Sequence, residues 1–252
     1  MAYTPYDWNQ NLQQKSEYIE DRLRDGSPVV GVSFDGGVLL LTVKRGQRKV
    51  FEIYDRLMFA ALGNQSDLET IRMGAIDVAH TEGYTRSSED VTAHRIVSFA
   101  VSPPMKRAFA DPFAAPFVVR GIFAELGKTP KDDQFFTLDY NGEFASVADF
   151  AVIAGTPEAE SKALELLESE PAVAPSLEVA LDRAAGAWAT AQHTARQSKE
   201  SEGEESETFD ARTAFDEALK SGEVEIGLLL RNTQRERRFQ RASSLDEARA
   251  LR

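Results

Sequence analysis

Gly26-Ser27-Pro28-Val29-Val30-Gly31-Val32-Ser33-Phe34, then Asp35-Gly36-Gly37, then Val38-Leu39-Leu40-Leu41-Thr42-Val43-Lys44, and after a short break Lys49-Val50-Phe51-Glu52-Ile53-Tyr54 and Leu57-Met58-Phe59-Ala60-Ala61-Leu62-Gly63: the fold is decided in this stretch. Its apolar, β-branched and aromatic runs are separated by Asp-Gly-Gly, Arg45-Gly46-Gln47 and Asp55-Arg56, the pattern of consecutive antiparallel strands joined by tight turns. The spacing predicts a meander. The second and fourth runs are apolar at nearly every position, so both faces of those strands should be covered. Lys49 stands out inside this apolar block. It reads either as a cation that keeps a strand end soluble or as an anchor whose stem is buried and whose ammonium receives a carboxylate.

Upstream, residues 1–9 carry Tyr3, Pro5, Tyr6 and Trp8 without periodicity, the composition of a segment that orders against a neighbour. Residues 11 to 25 form a polar helix with a thin stripe of Leu12, Ile19 and Leu23 that ends at Gly26. Downstream, Ser66-Asp67 caps a helix carrying Leu68, Ile71, Ala75, Ile76, Val78 and Ala79. Ser87-x-x-Asp90 opens a second one through Val91, Ile96, Val97, Phe99 and Ala100, which Pro103-Pro104 should break or kink. Strands follow at 116–124, 135–140 and 143–147, the last two around an Asn141-Gly142 turn, and at 150–155. Helices are expected at 157–168, with Leu164, Leu166 and Leu167, and at 176–195, with Leu177, Val179, Ala180 and Leu181. The acidic run 197–207 is read as a solvated loop. Glu223-Val224-Glu225-Ile226-Gly227-Leu228-Leu229-Leu230 is a last strand, and Ser244-Leu245-Asp246-Glu247 caps a short terminal helix. Runs of strands alternating with pairs of helices predict an α+β fold, a four-layer αββα sandwich of two antiparallel sheets.

The chain has 252 residues, no cysteine and a formal charge of −12 at pH 7. A disulfide framework, a thiol nucleophile and a thiolate metal site are excluded. No leader pattern or membrane-length apolar run is present, so a soluble cytoplasmic protein is expected. The negative charge disfavours nucleic acid, with Arg235, Arg237, Arg238 and Arg241 as the only candidate basic face. His80, His94 and His193 are scattered, without the spacing of a metal site, and no helix follows Gly36-Gly37 as a phosphate loop requires. Neither a metal nor a cofactor is expected.

Several motifs in sequence order carry a resemblance. They are the Gly26 to Val32 run with its following Asp-Gly-Gly-Val-Leu-Leu, and Lys49-x-x-Glu52-Ile53-Tyr54-Asp55-Arg56-Leu57-x-Phe59-Ala60-Ala61-x-Gly63. Gly83-Tyr84, Asp90-Val91-Thr92, Pro116-Phe117, Tyr140-Asn141-Gly142 and Ala154-Gly155-Thr156 continue it. Together they resemble the α-type subunits of the 20S proteasome, closest to the bacterial form, over most of residues 10–195 and 222–241. The resemblance implies the fold of N-terminal-nucleophile hydrolases. It also implies a single domain over 10–241 that includes the acidic loop 196–208, preceded by a gate segment over 1–9 and followed by a tail over 242–252.

By the same resemblance, the position of the nucleophilic threonine of β-type subunits is Ser27. To act, it would need cleavage after Gly26, it would be followed by Pro28, and Val43 stands where a carboxylate is wanted. The resemblance therefore implies a non-catalytic subunit. Its partners would be a homo-heptameric ring, β-type subunits that carry the proteolytic sites, a ring-shaped AAA ATPase and unfolded protein substrates. Lys49 would receive the C-terminal carboxylate of the docking ATPase, in a pocket that Gly26 and Gly63 also line. Tyr6-Asp7 matches the pair that opens many α-type chains and helps set the axial gate, but Trp8 replaces the arginine that follows. Two alternatives are a self-processed amidase or peptidase that uses Ser27, and a self-assembling shell of this fold without a β partner.

Overall fold

The computed structural model describes residues 5–169, 174–197, 209–233 and 237–251. The two wholly apolar runs become β2 (Gly37–Lys44) and β4 (Leu57–Gly63), interior strands of different five-stranded sheets. One sheet has the order β10-β9-β2-β1-β8, with β1 at Val29–Phe34, β8 at Phe150–Ile153, β9 at Glu223–Leu230 and β10 at Phe239–Ala242. The other has the order β3-β4-β5-β6-β7, with β3 at Val50–Tyr54, β5 at Val119–Glu125, β6 at Gln134–Leu138 and β7 at Phe144–Val147. Every pairing is antiparallel.

The expected meander is therefore split. Strands β1 and β2 pair, as do β3 and β4, but the chain changes sheets across residues 45–49. The free edge of β2 is taken instead by β9, from Gly37 opposite Leu230 to Lys44 opposite Glu223. A strand that is apolar on both faces has no face preference in sequence, so its register partner cannot be read locally.

Alternation along each strand sorts side chains into three apolar layers. Val38 and Leu40 of β2 point between the sheets, where they meet Met58, Ala60 and Leu62 of β4 and Phe135 of β6. Leu39, Leu41 and Val43 point outward under α5 (Pro157–Glu168) and α6 (Leu177–Gln197). Phe59 and Phe123 point to the opposite outer face under α2 (Gln65–Thr85). The molecule is thus an αββα sandwich. Leu167, Ala180 and Leu181 are buried beneath the outer helices as expected, whereas Leu166 and Val179 are exposed, because alanines supply most of the buried face of α6.

Helix α1 (Pro5–Leu23) begins six residues before the expected start at 11, so residues 5–9 are helical and not aperiodic. It closes one end of the layer between the sheets, where Ile19 and Leu23 are fully buried. Lys15 fastens its middle by donating to the carbonyls of Ala108, Phe109, Asp111 and Ala114. These carbonyls lie at and just beyond the C-terminal end of another helix, where a cation is favoured.

The cap of α2 is Asn64, whose side chain accepts from the Ser66 N–H. Asp67, expected to share the cap, instead accepts the Val118 N–H at 2.8 Å and holds the start of β5. Pro103-Pro104 does not break the next helix. The turn α3 (Ala93–Arg95) continues through a π-helical segment, Ile96–Val101, into α4 (Ser102–Ala110), whose first turn contains both prolines. The wider turn, with the Ser102 N–H reaching Val97 O, accommodates residues that lack a donor.

Two elements escape the sequence reading, β10 and α7 (Ala211–Leu219). The latter is capped by Asp210 and buries Phe215. The terminal helix α8 (Leu245–Ala250) is capped by Ser244 as expected, and Ala248 is fully buried in the core beneath it. The acidic run 198–208 lies outside the described residues.

One polar clamp crosses between the sheets. Asp133, with its side chain fully buried, accepts from Arg231 at 3.0 and 2.8 Å, from Ser33 Oγ at 2.6 Å and from the Gly127 N–H at 2.8 Å. Ser33 and Arg231 belong to one sheet and its end, and Asp133 precedes β6 of the other.

Candidate functional site

Lys49 ends the crossover between sheets, and its backbone N–H donates to Glu225 Oε2 at 2.8 Å. Glu225 is a buried carboxylate in β9, opposite Thr42, that the sequence reading did not single out. Burial pushes the Lys49 ammonium down to about 8. Glu225 works against that shift and Arg45 adds to it. No ion pair holds the Lys49 side chain among the described residues. The site therefore presents a desolvated cation with a carboxylate behind it and open space in front.

That space is a cavity of about 700 Å³. It brings together Gly26, Ser27, Lys49 and Gly63, which lie far apart in sequence, and adds Arg22, Arg45, Arg196 and Trp188. The three arginines and Trp188 were not anticipated. Arg22 and Arg45 differ in no local way from other surface arginines, and only the fold shows that they share a rim with Arg196 of α6.

The glycines have internal reasons to be glycine. Gly63 has φ +124°, and a Cβ there would collide with the Val118 carbonyl. A Cβ on Gly26 would meet Leu23 O at 2.8 Å. Backbone geometry alone therefore demands glycine at both positions. Gly63→Ala should lower stability by about 1–3 kcal/mol, measurable by denaturant unfolding. A result within 0.5 kcal/mol of the parent would show that the β4–α2 corner relaxes.

Ser27 sits on the cavity wall, but its hydroxyl is engaged. Trp188 Nε1 donates to Ser27 Oγ at 3.2 Å, and Thr42 Oγ1 lies 3.3 Å from it. Thr42 Oγ1 gives its own proton to Pro28 O at 2.7 Å, so Ser27 donates to Thr42. Trp188 is fixed edge-on to Phe215 at 5.5 Å. No general base takes the Ser27 proton in this arrangement. Val43 is buried in the outer core.

The expected gate residues lie elsewhere. Tyr6, Asp7 and Trp8 occupy the first turns of α1, and Trp8 lines a separate cavity of about 790 Å³ with Leu12, Lys106, Phe109 and Phe144. One helix thus runs from that cavity to Arg22 at the Lys49 cavity, about 21 Å at 1.5 Å per residue.

The other candidates are accounted for by packing. Tyr54 meets His80 edge-on, Phe136 and Phe144 flank His94, and Phe209 stacks near His193. Among the described residues no cluster of three metal-binding side chains occurs, and no helix is long and apolar enough to cross a membrane. Within the basic run, Arg235 lies outside the described residues. Arg238 pairs with Asp55 at 3.5 Å, and Arg241 reaches Val50 O at 3.3 Å and lies 3.9 Å from Glu225.

Comparison with known proteins adds the following. A family model described as proteasome subunit matches residues 23–200. A protein of Parafrankia named proteasome subunit alpha is 33% identical over 192 residues, 74% of this chain and 78% of its own length. Its namesake from Geodermatophilus obscurus is 34% identical over 154 residues, 60% of this chain, and that from Thermobifida fusca 29% identical over 157 residues, 62% of this chain. The match spans 53% of the Geodermatophilus protein and 62% of the Thermobifida one.

Proposed function

The chain belongs to the proteasome subunit family, and on that premise we propose that it is a non-catalytic α-type subunit of a 20S core particle. In this reading it forms a homo-heptameric outer ring in the cytoplasm, templates the assembly of β-type subunits and gates the passage of unfolded protein. Residues 1–9, with Tyr6, Asp7 and Trp8, form the gate segment, residues 10–241 one αββα domain, and residues 242–252 a tail docked through α8. Lys49, with Gly26 and Gly63, receives the chain end of an ATP-dependent unfoldase.

One observation carries the non-catalytic part. Residues before Ser27 are structural: Ile19 and Leu23 of α1 fill the layer between the sheets and are at most 1% exposed. Cleavage after Gly26 would release that helix and open this layer to water. Burying two such side chains contributes roughly 3–6 kcal/mol in total. A propeptide that is removed on maturation has no need of such an anchor.

Co-expression with a candidate β-type subunit, followed by intact-mass measurement and peptidase assay of the assembled particle, tests this. The expected mass retains the residues before Ser27, and Ser27→Ala leaves peptidase activity unchanged. The substitution should cost only about 0.5–1.5 kcal/mol of stability through lost hydrogen bonds to Trp188 and Thr42. A mature chain beginning at Ser27, or loss of activity in Ser27→Ala with the rings intact, would support the self-processed amidase instead.

A further inference from the structure

The Lys49 cavity is larger and more positive than one carboxylate requires. Its lining contributes Arg22, Arg45, Lys49 and Arg196 against Asp25 as its single carboxylate, in a chain whose formal charge is −12. Arg45 and Arg196 are exposed and make no ion pair among the described residues, while Arg22 lies over the Tyr18 ring at 5.4 Å. A volume of about 700 Å³ is of the size that encloses a drug-sized ligand. The nearest buried carboxylate, Glu225, lies behind Lys49 and donates nothing to the rim.

Concentrating cations at one concave spot of an acidic protein has a cost in mutual repulsion, and Arg45 itself destabilises the charged form of Lys49. An anion with more than one charge relieves that repulsion where a single carboxylate on Lys49 would leave the arginines unmatched. Guanidinium forks suit a side-chain carboxylate, and the Lys49 ammonium suits a chain terminus as a point charge. We infer that this cavity selects chain ends that carry an acidic side chain within the last few residues, the terminal carboxylate seated on Lys49 and the second carboxylate on the Arg45 and Arg196 rim. The inference rests on the reading of Lys49 as a docking anchor and adds the sequence preference of what docks.

The test uses the full chain and fluorescent hexapeptides of glycine and serine, read by anisotropy. One set has a free C-terminus, one is amidated, and in each a Glu or a Gln is placed one, two or three residues before the end. The best Glu peptide should bind about five- to tenfold tighter than its Gln counterpart, the scale of one or two partly exposed charge pairs. That advantage should shrink at 1 M salt. In the double variant R45Q/R196Q the ratio of Glu to Gln affinity should fall to about one, whatever loss both peptides share from the lower positive charge of the rim, and since both arginines are exposed the core is left untouched. If a free terminus is required but Glu and Gln peptides bind alike, the acidic preference is overturned and the docking reading stands. If free and amidated peptides bind alike, the docking reading falls and the preference falls with it.

Discussion

Replacing Arg231 with alanine is expected to destabilise the protein by about 3–5 kcal/mol, a large part of the whole stability of a typical domain. The reason is positional. Asp133 is fully buried and takes two hydrogen bonds from Arg231, which is itself 90% covered at its side chain, with 10% exposed. Removing the guanidinium leaves a carboxylate in the interior with only the Ser33 hydroxyl and the Gly127 N–H as donors. Arg231 also donates to Gly127 O, so the Gly127 to Asp133 loop loses two tethers at once. The double variant R231M/D133L, which removes both charges, should recover much of the loss, because an uncompensated charge costs more than an absent pair. Urea or guanidinium unfolding of the three proteins decides the matter. A single-variant loss under 1 kcal/mol would mean that Asp133 is solvated or protonated without its partner.

This clamp was invisible in sequence for a definite reason. Asp133 lies in Lys131-Asp132-Asp133-Gln134, which reads as an ordinary polar loop, and Arg231 follows an apolar strand as a solubilising charge would. Their meeting requires that β6 and β9 lie in different sheets facing each other, which no local pattern states. Helix positions, by contrast, were legible from an apolar stripe, as for α5, or from a cap, as at Ser244 before α8. Strand β10 was missed because Phe239-Gln240-Arg241-Ala242 is short, polar and edge-bound, and α7 because it follows an acidic run that offers no periodicity.

The site divides along the same line. Lys49 was legible as an intruding cation in an apolar block, while Gly26 and Gly63 were named beside it only through the resemblance. Arg22, Arg45 and Arg196 were not, since their only distinction is convergence on one cavity from α1, the sheet crossover and α6. Glu225 offered a faint signal, an acidic residue at an interior position of a strand otherwise apolar from Val224 to Leu230. Buried charge in a strand is expensive enough to ask for a partner, and the partners here are the Lys49 backbone and Arg241.

Lys49→Met should reduce binding of a free-carboxylate peptide at least tenfold and by up to about a hundredfold, the range of a charge-assisted hydrogen bond in a partly desolvated site. Methionine keeps the length of the stem and the packing while it removes the ammonium, so the loss reports charge and not shape. The pH dependence gives a second and independent signature. The folded protein holds Lys49 near 8, below its ordinary 10.5, so the unfolded chain binds the extra proton between those values. Stability therefore rises with pH through that window, by at most about 1.4 kcal/mol per pH unit, and Lys49→Met should lack this slope. Binding runs the other way, because the Lys49 ammonium attracts the carboxylate and its neutral amine does not. Affinity should be nearly flat from pH 6 to 7 and then fall, to roughly 5–15% of its pH 7 value at pH 9.5, with proton uptake on binding above pH 8. The charged groups that face the ammonium are Glu225 behind it and Arg22, Asp25, Arg45 and Arg196 in the cavity lining. Opposite slopes for stability and affinity, both abolished by one substitution, would identify Lys49 as the receptor. Peptide affinity that is unchanged between pH 7 and 9.5 would remove it from that role.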